Sequence, residues 1–452
     1  MLPLIILTII GVLILFLGFT RKTKLIVPIA ILGVLGAIAA YLAATKMYNE
    51  WMGGMMSLHG PPLIFNYLIL VIALFILPFI NVFSKRGSEE VADFTGLILF
   101  SLIGGIMMVS HLDLIVLFLG IEIMSIAMYI LAGADRRILQ SNEAALKYFI
   151  LGAFSSAILL FGIALFYAST GTLKIYDLHV GDSPIFQLSV LIIFCAFAFK
   201  VALVPFHFWA PDVYQGSPTI FTATMATIVK IAAFGALFQF LRYLGNNVGE
   251  WMFWLMSIVA LASLVLGNIM AYTQTSVKRL LAYSSIVQAG FILIGFLQLK
   301  QEDSWPILYY LVAYCLASLV CFFVCYFVEN KKGSDHIDEF EGLFYANPVL
   351  AVVMTIALIS LGGGPLTAGF MAKLFVLNHA ASVGSIALVV MALVFAVTSM
   401  YYYFKIINRM FTKNSEQAVW SVSWTYQGVL ILMSILTFIA GILPFWIVNL
   451  FK

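Results

Sequence analysis

Four lysines and one glutamate stand inside apolar stretches long enough to cross a membrane: Lys147, Lys200, Lys230, Lys373, and Glu122 in LFLGIEIMSIAMYIL. Each ion buried in hydrocarbon costs at least about 2.5–3.5 kcal/mol on insertion scales. One such residue could snorkel or pair for packing alone, but five in one chain point to function. Their chemistry suits proton transfer. Burial favours the neutral form of either ion, and an opposite charge nearby favours the charged form. The protonation state of a lysine beside a glutamate therefore depends on where its partner sits. Glu122 and Lys147 lie on adjacent predicted spans and form the natural pair. Glu143, four residues before Lys147, shares its helical face nearer the cytoplasmic end. It reads as a solvated helix-end charge or as a proton-uptake residue.

Two of the lysines accompany interruptions. Lys200 sits in LIIFCAFAFKVALVPFHFWAPDVYQGSP, where Pro205 removes a backbone donor and Pro211 and Pro218 follow. Lys373 follows Leu361-Gly-Gly-Gly-Pro365-Leu-Thr-Ala-Gly-Phe370. Glycines beside Pro365 break a helix, and carbonyls freed at membrane depth must line a cavity or find a partner. The triple glycine is not a phosphate loop, because the GK[ST] ending and a preceding soluble strand are missing. His207 and Asp212 lie at the exit of the first break, without the further ligands a metal site needs. His207 reads as a hydrogen-bonded structural group with a proton-relay role open to it. Ser284, Ser285 and Gln288 cluster in KRLLAYSSIVQAGFILIGF. They could hold a water chain between Lys230 and Lys373, or satisfy one another across helices.

These side chains need a membrane scaffold. The chain is 63% hydrophobic and 10% charged, with a mean hydropathy of +1.09. Soluble domains carry roughly 25% charged residues, so this is an integral membrane protein. A spanning helix needs about 20 apolar residues, a template met fourteen times, which predicts an all-α polytopic protein. The N-terminus lacks a charged n-region and cleavage site and reads as a retained first transmembrane helix. The interrupted spans are the seventh and twelfth, an odd number apart, as in inverted-repeat transporters. That predicts repeats over 91–245 (helices 4–8) and 246–412 (helices 9–13). A three-helix segment, 1–90, precedes them, and helix 14 follows in 413–452. Loops after odd-numbered spans hold fourteen of the 23 basic residues, and the other loops and the C-terminal tail hold five. The asymmetry places odd loops in the cytoplasm and both termini outside. The longest polar linker, Glu329 to Glu341, is expected to be a loop or short surface helix. Cys195, Cys315, Cys321 and Cys325 form no CxxC pair and read as small core residues. A net charge of +3 is too small to indicate a nucleic-acid partner.

Four motifs in order resemble the antiporter-like membrane subunits of respiratory complex I, the proton-pumping NADH:quinone oxidoreductase. They are GIEIMSIAMYIL around Glu122, NEAALKYFILGAFSSAILLFG around Lys147, VPFHFWAPDVYQGSP after Lys200, and VKRLLAYSSIVQAGF. The resemblance covers roughly residues 90–410, and DVYQGSP with the compact length favours the subunit N branch over L and M. It implies two inverted five-helix repeats and a central line of charged residues in a bacterial inner membrane. Carried over by motif, Glu122 and Lys147 are the coupling pair and Lys200 is the central lysine of the first half-channel. Lys230 is the bridging lysine and Lys373 the terminal residue of the second half-channel. The implied partners are other complex I membrane subunits, a neighbouring antiporter-like subunit and small helical subunits among them, and membrane lipid. No cofactor is expected in this chain; flavin mononucleotide, iron–sulfur clusters and quinone are expected in partner subunits. Two departures stand out. The family commonly reads G-x-P-P-T-x-G-F where this chain has Leu366 after Pro365, and the family's usual histidine in span ten is Gln288. The nearest alternatives are a subunit of a multisubunit sodium/proton antiporter or membrane-bound hydrogenase, and a purely structural scaffold subunit.

Overall fold

The structure is a computed structural model that describes residues 1–20, 23–44, 53–83, 88–178, 183–298, 304–413 and 419–451. Of the basic residues used for topology, Arg21, Lys22, Lys46, Lys85, Arg86, Lys300 and Lys452 lie outside the described residues. Without water, a spanning backbone must satisfy its own polar groups, which selects helix for uninterrupted apolar runs. In chain order the helices begin with α1 (Leu2–Gly18), α2 (Thr23–Ala44), α3 (Pro61–Phe83), α4 (Ser88–Ser110), α5 (Leu114–Ala132) and α6 (Leu139–Thr170). Next come α7 (Pro184–Lys200), α8 (Trp209–Gly216), α9 (Thr219–Thr224), α10 (Lys230–Leu244), α11 (Glu250–Tyr272) and α12 (Val277–Ile294). The remainder are α13 (Trp305–Lys332), α14 (Leu343–Ala346), α15 (Pro348–Gly362), α16 (Ala368–Ser382), α17 (Ile386–Phe411), α18 (Trp424–Ile442) and α19 (Pro444–Phe451).

Among the described residues, eleven helical stretches, with Thr219–Leu244 taken as one, are long and apolar enough to cross a membrane; α1, α7 and α15 are shorter apolar helices. The expected spans fall on these elements, and span twelve divides into α15 and α16. Extended pairing among the described residues is confined to isolated bridges such as Met56–His111 and Asp113–Lys174. The boundary between spans four and five is a real break, because Asp113 caps α5 by accepting from the Ile115 N–H at 2.8 Å. In the Glu329–Glu341 linker, α13 continues to Lys332, Gly333 turns the chain at φ 85°, and a 3₁₀ turn covers Ile337–Phe340.

The chain divides into two compact units. One comprises Met1–Val201 and Gly216–Gly249; the other comprises Ala202–Gln215 and Glu250–Lys452. In the first unit α4 and α5 pack through small residues. A Cβ on Gly104 would lie 2.5 Å from the Met124 nitrogen, and one on Gly120 would lie 2.7 Å from the Met108 nitrogen. Such close backbone approach is how membrane helices gain van der Waals contact without a hydrophobic driving force.

Both interruptions are present. The first ends α7 at Lys200 and turns through Ala202 at φ 60° before α8. Within this segment the Val204–Pro205 peptide is cis. The second ends α15 at Gly362 and passes Gly363 at φ 86°, Pro365 and Leu366 at φ 66° before α16. Proline is locked near −65°. The leucine that departs from the family pattern therefore takes a backbone conformation closed to the proline it replaces.

Candidate proton-carrying site

In the first unit the site is built on one face of α5. Glu122, Ser125 and Tyr129 are three and four residues apart, the spacing that stacks side chains along a helix. Lys200, the last residue of α7, is 5% exposed and donates to Ser125 Oγ at 2.7 Å. Ser125 Oγ donates onward to the Ile121 carbonyl at 2.5 Å. The ammonium lies 5.8 Å from the centre of the Tyr129 ring and 6.0 Å from that of Phe199, within the range where ring quadrupoles attract cations. Glu122 is the carboxylate that acts electrostatically on Lys200. Its Oε1 is buried and has no hydrogen-bond partner among the described residues.

Lys147 is placed differently. Its ammonium pairs with Glu143 at 2.7 Å, one turn away on α6, and both side chains are well exposed. Glu143, open from sequence as a helix-end charge or a proton-uptake residue, thus forms an ion pair with Lys147, while Glu122 lies within electrostatic range of Lys200. Lys230 is 1% exposed and opens α10 directly after a π-helical turn, Met225–Val229. Such turns are rare and frequent at functional sites.

The second unit holds Lys373, 6% exposed, on α16. Its Nζ donates to the Leu361 carbonyl at 3.0 Å and the Gly362 carbonyl at 2.8 Å, and lies 4.9 Å from the centre of the Phe291 ring. Two of the carbonyls freed at the Gly–Pro break before Pro365, those of Leu361 and Gly362, accept from the lysine. The polar residues of α12 bond to named neighbours. Gln288 Nε2 donates to the Leu361 carbonyl at 2.9 Å and to Tyr403 Oη at 3.3 Å. Gln288 Oε1 accepts from the Tyr310 hydroxyl at 2.5 Å. Ser284 Oγ and Tyr403 Oη are 2.5 Å apart, and Ser285 Oγ donates to the Ala282 carbonyl.

At the exit of the first break, Asp212 on α8 pairs with Arg279 at 2.8 Å, and the same guanidinium donates to Gln215 at 3.1 Å. His207 is buried with its ring 4.3 Å from that of Phe208. Among the described residues no group of three His, Cys, Asp or Glu side chains could hold a metal ion.

Five contributors went unread in the sequence. Ser125 and Tyr129 carried a usable signal, since they follow Glu122 at helical spacing. Tyr310, Tyr403 and Arg279 carried none: the tyrosines are two of twenty, and Arg279 counted only as a cytoplasmic loop charge.

Residues 111–399, which include every charged residue of this site, match the family described as NADH:quinone oxidoreductase/Mrp antiporter, transmembrane. The chain is 37% identical over 439 residues to NADH-quinone oxidoreductase subunit N of Flavobacterium psychrophilum, covering 96% of each chain. Among solved structures it resembles a chain of respiratory complex I from Thermus thermophilus, with a TM-score of 0.87 and 31% identity. That likeness covers 99% of this chain and 98% of the other. A chain of the archaeal membrane-bound sulfane sulfur reductase superposes with a TM-score of 0.89 at 26% identity, covering 100% and 95%. Its sequence and its helical architecture together place the chain in the NADH:quinone oxidoreductase/Mrp antiporter family of membrane subunits.

Proposed function

We propose that this chain is the proton-translocating subunit N of a respiratory complex I and itself carries no redox centre. Electron transfer to quinone takes place in partner subunits and drives protons along Glu122, Lys200, Lys230 and Lys373. The observation that carries this reading is that a buried lysine stands at each of the two helix breaks, Lys200 ending α7 and Lys373 closing α15. Desolvation and broken backbone are both costly, and their coincidence twice in one chain is what a transport path needs.

In the state described here Glu122 acts on Lys200 while Lys147 holds Glu143. Rearrangement of a neighbouring subunit that drew Lys147 toward Glu122 would change the balance of charge around Lys200. Its proton would then pass by way of Lys230 to Lys373 and outward. Moving one proton against the membrane potential costs about 2.3 kcal/mol per 100 mV. A tenfold change in proton affinity supplies about 1.4 kcal/mol, so shifts of a few orders of magnitude suffice. The two breaks support reading 91–245 and 246–412 as inverted repeats. The asymmetry of basic loops supports a cell-membrane protein with both termini on the outer side.

The test is Lys200→Met in the assembled complex, with proton pumping and quinone reductase activity measured together. Loss of pumping supports the reading, and a full proton gradient at unchanged activity overturns it. The likeness to the archaeal sulfur-reductase chain favours one second reading, a subunit of a related complex with another electron donor. Identification of the proteins that co-purify with this chain separates the two.

A further inference from the structure

An α-helix ends with four carbonyls that no intrahelical donor reaches. At the end of α15 they belong to Ile359, Ser360, Leu361 and Gly362. The first two are satisfied by backbone: Gly364 N–H donates to Ile359 at 2.8 Å and Gly363 N–H donates to Ser360 at 2.9 Å. That pair of bonds around a left-handed glycine is a Schellman cap. The other two, Leu361 and Gly362, are held by Lys373 Nζ. Gly363 is also what lets the lysine in, since a Cβ there would lie 3.0 Å from Lys373 Cδ and 3.3 Å from Nζ. Lys373 therefore serves as the second half of a helix cap. A proton carrier must move or exchange its bonds, and each departure takes away the donor these two carbonyls share.

One of those carbonyls has a second donor. A carbonyl oxygen has two lone pairs, and Leu361 O accepts from Gln288 Nε2 at 2.9 Å as well as from Lys373. Gln288 is 2% exposed, and its orientation is set on both sides. Tyr310 donates to its oxygen, and its nitrogen donates to Tyr403, which is tied to Ser284. Tyr310 also stacks on Phe291, the ring beneath the ammonium. A cavity of about 370 Å³ borders Gly362, Gly363 and Lys373 and leaves room for the lysine to swing away.

We propose that Gln288 is a positioning residue that acts as the standby donor of this cap, keeping the Leu361 carbonyl bonded whenever Lys373 leaves it to exchange a proton. The break in the helix then persists while the carrier moves. The ammonium gives up one proton and keeps two N–H groups, so the neutral amine can still rebond both carbonyls. The amide itself conducts no proton; it has no ionisable group at neutral pH. This inference rests on Lys373 being a proton carrier.

The experiment compares Gln288→Leu, Gln288→His and Lys373→Met in the assembled complex. Membrane vesicles give the proton gradient formed per electron pair, and native gels give assembly. Gln288→Leu is expected to assemble and to lower the gradient about tenfold, with Gln288→His, which keeps an N–H donor, restoring most of it. Normal pumping by Gln288→Leu while Lys373→Met abolishes it overturns the standby role alone. No rescue by Gln288→His overturns it as well. Normal pumping by Lys373→Met overturns the carrier reading beneath it. If Gln288→Leu does not assemble, Tyr310→Phe, which frees the amide oxygen, must show the same partial loss, and wild-type pumping by that variant refutes the role.

Discussion

Lys200 and Ser125 are 75 residues apart in sequence, yet the lysine ammonium donates to the serine hydroxyl at 2.7 Å. The bond ties the end of the broken α7 to the face of α5 that carries Glu122. Hydrogen bonds to charged groups contribute about 1.5–3 kcal/mol. Ser125→Ala is therefore expected to slow proton pumping by roughly tenfold or more, while Ser125→Thr, which keeps the hydroxyl, retains most of it. Gradient formation in membrane vesicles, normalised to assembled complex, reads the difference. Equal pumping by Ser125→Ala and wild type would remove Ser125 from the site.

Tyr129 and Gly152 fit each other as ring and recess. A Cβ on Gly152 would lie 2.0 Å from the Tyr129 hydroxyl, and the ring is further fixed by edge contacts with Tyr148 at 4.8 Å and Phe149 at 5.7 Å. Gly152→Ala must push the ring from its place beside Lys200. Overpacking of this kind costs about 1–3 kcal/mol. The variant is expected to reduce thermal stability and pumping together. Adding Tyr129→Phe, which removes the clashing oxygen, should recover part of both. The double-mutant cycle is decisive: strictly additive losses would show that the two residues do not interact.

Arg279 holds α8 through Asp212 and Gln215, with both members of the ion pair about one-third exposed. Partial exposure screens such a pair, so Arg279→Ala is expected to cost only about 1 kcal/mol of stability. Asp212→Asn should cost a similar amount, and the double variant little more than either alone. Thermal unfolding of the purified complex, followed by loss of native-gel migration, measures all three. A double variant as damaging as the sum would mean that the arginine has other work than holding Asp212.

The membrane class, the spans and both interruptions could be read directly from the chain, because each depends on local properties. An apolar run of sufficient length must become a helix in hydrocarbon. Glycines clustered beside a proline, or prolines in close succession, break it, and a charge inside an apolar span signals its own cost. Partner choice is not local in this way. From sequence Glu122 pairs with Lys147; in the structure Lys147 forms an ion pair with Glu143, one turn away on α6, and Glu122 lies within electrostatic range of Lys200. Likewise, the run of glycines before Pro365 announced freed carbonyls without saying what would bond them. Packing brought Lys373 and Gln288 to one carbonyl 12 and 73 residues away from them. The order of residues alone determined where the chain could break and where a charge stands inside an apolar span. Which charge meets which acceptor was decided only by the tertiary structure, because each such contact joins residues on different elements that only packing brings together.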